Sequence, residues 1–309
     1  MNSLQTVNYD VVSQNTKNLD KLLDVWIKFI DVGERSQKTY KEIVRAYFRY
    51  LEENGLPQTT DSVIYYRDHL RKHLKPSSVQ LYMSVIRTFY RWTAQQGIFP
   101  NIADHIKGAK VSREHKRDCL SAEQVKELID SIGTETVRDL RDRALIAVAA
   151  TTGLRTISLA KAEIQDISSI MGVTVLRYQG KGHTDKDTYV KLSPKVERMI
   201  REYLRSRTDN QPALFGSLDR KFPGRAMNSQ SISHIVKGRL REIGIDNPRI
   251  TAHSLRVSAC TINLLNGGSL EESQMLLDHA DISTTMIYRR DLEKINSQAE
   301  NRITQAIFG

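Results

Sequence analysis

The sequence is poor in cysteine: only Cys119 and Cys260 occur in 309 residues, far apart and without CxxC spacing. That excludes a disulfide framework and a zinc knuckle, and it suits a chain working in a reducing cytoplasm. Long apolar runs are missing too. No stretch reaches the roughly eighteen apolar residues of a membrane span. The opening MNSLQTVNYDVVSQNTKN lacks a basic region leading into an apolar core, so no signal peptide is expected. There is no P-loop and no carboxylate cluster at metal-ligand spacing. Internal repeats and low-complexity segments are absent as well. Acidic residues are in deficit, 36 Asp and Glu against 46 Lys and Arg, which leaves a net charge of +10. Such a surplus points to a polyanionic partner. No amphipathic basic segment stands apart from the folded part, which favours nucleic acid over a membrane surface.

What is present is helical periodicity. At 309 residues the chain can hold two domains, each with its own core. Leu19, Leu22, Leu23, Trp26, Ile27 and Ile30 form one stripe, and Tyr40, Ile43, Val44, Tyr47, Phe48 and Leu51 another. ENGLP ends the second helix, and further helices are predicted over 61–73 and 77–96, closing a bundle at Gly97 and Pro100. Residues 1–106 are therefore read as one helical domain. KGAKVSREHKRD, residues 107–118, sets Lys107, Lys110, Arg113, Lys116 and Arg117 against two acids, and reads as an extended basic linker lying on a polyanion. A second domain, 119–290, opens with Ser121 and Gln124 as a capping box. Helices are predicted at 121–131, 139–151, 194–206, 229–242, 252–265 and 270–278. Between them VTVLRY and DTYVKL change to a two-residue period and form a hairpin whose tip is QGKGHTDK. The expected fold is mainly α: an N-terminal bundle, then a mixed α/β domain with a small β-hairpin or sheet.

Three separated pieces carry chemistry-bearing side chains. TTGLR, 151–155, ends a helix on Arg155. HSLR, 253–256, places His253 and Arg256 three apart, hence on one helical face. LLDHADISTTMIYRR supplies His279 and Tyr288 with hydroxyls and guanidiniums around them. With GKG around Lys181 at the hairpin tip, this resembles the tyrosine recombinases, the phage-integrase and Xer-type family. The resemblance covers 120–290 through four motifs in the family's order. The leading bundle resembles the family's core-binding, DNA-binding domain in kind.

The resemblance implies a site-specific DNA recombinase with two domains clamping duplex DNA from opposite faces. Tyr288 is then the nucleophile, forming a 3′-phosphotyrosine and freeing a 5′-hydroxyl. A protein nucleophile that stays on phosphorus conserves the bond energy, so the resemblance implies no metal, nucleotide or other cofactor, and phenolate is an acceptable leaving group in the return step. Charge gathers on the non-bridging oxygens during transfer, so guanidinium forks are the natural stabilisers. Arg155 and Arg256 take that role, His279 adds a hydrogen bond, and His253 takes or assists removal of the phenol's proton. Lys181 protonates the departing 5′ oxygen, with Lys186 its nearest competitor. The implied partners are a double-stranded recombination site, a homotetramer exchanging strands through a Holliday junction, and, in some settings, accessory DNA-bending or excision factors.

Each residue also has a plainer reading. Arg155 can satisfy carbonyls at a helix end, Lys181 can be a turn residue, His253 a helix cap, His279 a packed core histidine and Cys260 a small core residue. One departure from the family concerns Ser158, which stands where many members carry an acid that orients the first arginine; Glu163 lies two turns further on. The length fits Xer-type resolution and a mobile-element integrase equally, and the tail after Tyr288 and the segment RVSACTINLLNGGSLEE lean towards integration and excision of a mobile element. Xer-type chromosome-dimer resolution, a type IB topoisomerase and a catalytically idle DNA-binding regulator are the alternatives. In the tail, 291–309, Leu292, Ile295, Ala299, Ile303 and Ile307 recur at three- and four-residue steps. That predicts an amphipathic helix, which in this family commonly docks on a neighbouring protomer.

Overall fold

The computed structural model describes residues 16–110, 118–180, 185–278, 286, 289 and 297–309. The chain divides into two compact units, Met1–Arg113 and Glu114–Gly309. Among the described residues no helix is long and apolar enough to cross a membrane.

In the first unit the leading stripe forms α1, Thr16–Trp26, which tightens into a 3-10 turn at Ile27–Phe29. α2, Glu34–Glu53, buries Ile43, Val44, Tyr47, Phe48 and Leu51 at helical spacing. α3, Thr60–His73, starts from Thr59, whose hydroxyl accepts from the Ser62 N–H at 3.3 Å. α4, Pro76–Gln95, has proline in its first turn, where the missing N–H has no intrahelical partner to lose. Aromatic rings fill the space between these helices. Trp26 meets Phe89 edge-on at 5.2 Å between centroids, and Tyr47 meets Tyr66 at 5.2 Å. The bundle does not close at Pro100: Ala103 and Ile106, beyond it, are buried in the same core. Arg71 Nη2 donates to the Gly108 carbonyl at 2.9 Å, so the start of the basic segment is held on the bundle. Lys107 and Lys110 are exposed there.

In the second unit α5, Ala122–Asp130, carries the expected capping box: the Gln124 N–H donates to Ser121 Oγ at 3.2 Å, and the Ser121 N–H donates to Gln124 Oε1 at 3.0 Å. α6, Val137–Thr152, is buried nearly all round from Ala144 to Ala150, as a central helix must be. A short α7, Thr156–Lys161, follows. Three strands then form an antiparallel sheet: β1, Ile167–Ile170, β2, Val173–Tyr178, and β3, Thr188–Lys191. The hairpin of β2 and β3 is the one expected, with Tyr178 opposite Thr188. α7 and β1 go beyond the sequence reading. β1, ISSI, offers two serines where an apolar run would signal a strand; it is held by pairing with β2 across Met171 and Gly172, at φ 50° and 79°. Such left-handed pairs close two-residue hairpins.

Further helices among the described residues are α8, Pro194–Ser206, α9, Ser229–Glu242, α10, Ala252–Leu265, α11, Leu270–Leu277, and α12, Ala299–Phe308. α8 and α10 pack on α6. α9 is tied to α6 by Arg239, whose Nη2 lies 2.6 Å from Asp139 and 2.9 Å from Asp142. The observed class, mainly helical with a small sheet in the second unit, is the one the sequence led us to expect.

Candidate active site

Of the residues expected to carry chemistry, Arg155, His253 and Arg256 lie among the described residues. Lys181, His279 and Tyr288 lie outside them, as do Arg113, Lys116 and Arg117 of the basic linker.

TTGLR works as a helix stop. The Thr152 hydroxyl donates to the Val148 carbonyl at 2.6 Å and accepts from the Leu154 N–H at 3.4 Å. Gly153 then turns left-handed at φ 64° and ends α6. A Cβ at Gly153 would stand 2.6 Å from Leu277 Cδ2, so glycine also lets the end of α11 approach. Arg155, two residues on, occupies the N-cap position of α7. Its guanidinium does not close over the carbonyls of α6. Nη1 donates to Asp278 Oδ2 at 3.5 Å and Nη2 to the Asp278 carbonyl at 3.3 Å.

Arg256 comes from α10, and only 3% of it is exposed. Its Nη1 donates to the Gly153 carbonyl at 2.6 Å and its Nη2 to the Leu277 carbonyl. α10 is itself anchored, since Ser258 Oγ accepts from the Leu120 N–H at 2.8 Å. The helix begins at Thr251, whose N–H donates to Ser254 Oγ at 3.0 Å, so Thr251 rather than His253 is the cap. His253 is exposed, one turn before Arg256.

The two arginines thus meet on the carbonyls of consecutive residues, Leu277 and Asp278, although they start from elements about a hundred positions apart in the chain. Each guanidinium has five N–H donors, and the bonds described here use two from each. Two guanidinium forks drawn to neighbouring carbonyls are the donor type suited to a tetrahedral anion.

Neighbouring groups sort themselves around this pair. Tyr178 is 2% exposed. Burial pushes its phenol up to about 12, the Asp278 carboxylate adds to the rise, and Arg256 and Arg155 pull against it. A phenol so reluctant to ionise suits packing better than attack. Tyr189 on β3 is 47% exposed and pairs across the hairpin with Arg177. Ser158 donates to the Gln179 carbonyl at 3.3 Å. Glu163 does not serve Arg155; it lies 3.2 Å from Lys186 Nζ, which also bonds Asp166 at 2.6 Å. Partial burial pulls the Lys186 ammonium down, but its bonds to Asp166 and Glu163 outweigh that and hold it above the ordinary lysine value. Cys260 is fully buried beside Val257 and Leu277, and burial raises its thiol to about 11, consistent with a core residue. The residues that the sequence reading missed are Asp278 and Tyr178. Asp278 directly precedes His279, but its contact with Arg155 spans 123 positions and leaves no local pattern.

Comparison with known proteins agrees with this geometry. Residues 118–294 match the model of the phage integrase family. The tyrosine recombinase XerD of Listeria monocytogenes serotype 4b (strain F2365) is 30% identical over 289 residues, covering 87% of this chain and 94% of that protein. The tyrosine recombinase XerA of Pyrococcus furiosus is 28% identical over 282 residues, covering 91% and 93%. In fold, the chain is similar to the XerH site-specific recombinase bound to a palindromic difH substrate in a post-cleavage complex. The TM-score is 0.71 at 20% identity, over 99% of this chain and 90% of that one. The chain belongs to the phage integrase family, the tyrosine recombinases.

Proposed function

We propose that this site-specific recombinase cuts DNA through Tyr288, with Arg155, Arg256 and His279 stabilising the phosphate. His253 handles the proton of the phenol, and Lys181 protonates the leaving 5′ oxygen. The observation that carries the reading is the meeting of Arg155 and Arg256 on the neighbouring carbonyls of Asp278 and Leu277. The two guanidiniums carry more positive charge than the Asp278 carboxylate offsets, and a phosphodiester in transfer is an anion that such forks stabilise. The donor is a double-stranded recombination site. The first unit and the basic linker, through Lys107, Lys110, Arg113, Lys116 and Arg117, bind its backbone, as the net charge of +10 supports.

The reaction conserves the phosphodiester energy in a 3′-phosphotyrosine. Strands are exchanged in a homotetramer through a Holliday junction, with the terminal helix docking between protomers and accessory DNA-bending or excision factors setting direction. The protein works in the cytoplasm, and its role is integration and excision of a mobile element. Xer-type chromosome-dimer resolution is the second reading. It is favoured by relatives named XerD and XerA that align along 94% and 93% of their own length.

The deciding experiment uses a nicked suicide substrate resolved on a denaturing gel. The full chain should form a covalent adduct, and Tyr288→Phe should form none while binding DNA within a few-fold of the parent. An adduct persisting in that variant moves the nucleophile elsewhere. A paired-site plasmid assay separates the classes: relaxation without exchange of products indicates a type IB topoisomerase, and binding with no adduct at all indicates an idle regulator.

A further inference from the structure

Arg155 is held from outside its own helix. The position three residues after it, where the family often carries an acid, is Ser158, and Ser158 turns to the Gln179 carbonyl. Glu163, the next acid along, is engaged with Lys186. Among the described residues the carboxylate that meets Arg155 is Asp278, at 3.5 Å from Nη1, while the Asp278 carbonyl accepts from Nη2 at 3.3 Å.

The conformation of Asp278 sharpens the point. It caps α11 at φ 49° and ψ 52°, and the cap is made by its backbone N–H to the carbonyls of Gln274 and Met275. Glycine makes the same cap without the steric conflict between Cβ and backbone, so the fold alone gives no reason for a side chain here. The side chain therefore answers to something other than the cap.

We infer that Asp278 is a positioning residue for Arg155 and takes the place of the acid missing at Ser158. Its carboxylate and carbonyl fix the plane of the guanidinium through two N–H groups and leave three donors for a phosphate. Its negative charge also lowers the repulsion between Arg155 and Arg256. The inference rests on Arg155 acting on the phosphate, as proposed above.

Two variants of the full chain test it, each measured by single-turnover cleavage of a nicked half-site at saturating DNA, by half-site affinity and by thermal unfolding. Asp278→Asn keeps the shape and removes the charge. Asp278→Gly removes the side chain and relieves the left-handed strain. Both should cut roughly tenfold to a hundredfold more slowly, as for a misaimed catalytic group, with affinity changed less than threefold. Asp278→Gly should nevertheless unfold a few degrees higher, so stability and rate move in opposite directions, which a merely structural aspartate would not produce. Introducing Ser158→Asp into Asp278→Asn should restore most of the rate. Full-rate cleavage by both variants overturns the inference, as does a loss that Ser158→Asp leaves unrepaired. Faster cleavage overturns it in the other direction, because the carboxylate would then be competing with the phosphate. Arg155→Ala, run alongside, separates the two levels. If it cleaves at full rate, the role of Arg155 itself falls, and the inference falls with it.

Discussion

Arg256 Nη1 donates to the carbonyl of Gly153 at 2.6 Å, joining the middle of α10 to the end of α6. The same guanidinium reaches the Leu277 carbonyl at the end of α11. One side chain thus satisfies acceptors at two helix C-termini, where carbonyls have no intrahelical partner and a cation is favoured. The bond also fixes where Arg256 can point. The conformation of Gly153 and the aim of the Arg256 guanidinium are therefore one structural fact.

Gly153→Ala should damage both stability and chemistry. A left-handed alanine costs about 1–2 kcal/mol, and its Cβ would stand 2.6 Å from Leu277 Cδ2, within a contact that α11 cannot easily yield. The expected outcome is a lower melting temperature together with slower cleavage, because the carbonyl holding Arg256 shifts with the helix end. An unchanged melting temperature would show that neither the left-handed backbone nor the close approach of Leu277 limits stability.

Arg155 and Arg256 should separate when each is replaced by alanine. Both changes should slow cleavage by on the order of a hundredfold or more, as for loss of an oxyanion donor. Arg256→Ala also strands the buried carbonyls of Gly153 and Leu277, at about 1–3 kcal/mol for each. The Arg155 side chain is 25% exposed, and its partner Asp278 is 30% exposed, so Arg155→Ala should unfold close to the parent. Chemical denaturation of the pair, beside single-turnover rates, checks this. Equal destabilisation would mean that Arg155 carries more of the fold than its exposure suggests.

Lys186 is bound to Asp166 and Glu163 with its ammonium held above the ordinary value, a poor arrangement for a group that must release a proton. Lys181→Ala should therefore lose cleavage that is recovered, at least in part, on a substrate whose 5′ bridging oxygen is sulfur. A thiolate leaves without needing the proton. Lys186→Ala should show no such recovery and should mainly loosen the end of the sheet. Recovery confined to Lys186→Ala would reverse the assignment of the general acid.

How far the sequence is legible follows from which interactions are local. The capping box at Ser121 and Gln124, the stripe of α2 and the β2–β3 hairpin are each contained in short windows, and all three stand as read. β1 was hidden because ISSI is a strand by virtue of its partner, with Ile167 opposite Leu176, and not by its own pattern. α7 is only six residues long, too short for periodicity to signal. At the site, TTGLR and HSLR mark Arg155 and Arg256 as local signals, but nothing local tells where a guanidinium ends up. Asp278 was not singled out, because its partner lies 123 positions away. The burial of Ala103 and Ile106 beyond Pro100 was missed because they follow the last helical stripe without repeating it.

DNA binding should weaken steeply with salt, each phosphate contact contributing about −0.9 to the slope of log affinity against log salt. Lys107 and Lys110 are exposed beside a backbone held by Arg71, so they present charge without needing to be ordered first. Replacing Lys107, Lys110, Lys116 and Arg117 together by glutamine should flatten the slope by several contacts while the first unit keeps its melting temperature. A slope equal to that of the parent would remove the linker from the DNA interface.

The terminal helix supplies the last test. α12, Ala299–Phe308, exposes Ile303 at 58%, Ile307 at 65% and Phe308 at 83%; Leu292 and Ile295 of the same predicted stripe lie outside the described residues. An apolar stripe left in water loses the burial that would favour it, about 25 cal/mol for each Å² covered, so a receiver is expected. If the receiver is a neighbouring protomer, docking couples assembly to Tyr288, a few residues upstream, and cleavage follows pairing. Deleting 291–309 should then leave affinity for a single half-site largely intact while cooperative binding of paired sites and recombination fail, both measurable by gel shift and product analysis. Replacing Ile303 and Ile307 by aspartate should give the same pattern without shortening the chain. Recombination at the parental rate after deletion would rule the tail out as a coupler. Loss of binding to even one half-site would instead place the tail in the core of its own domain.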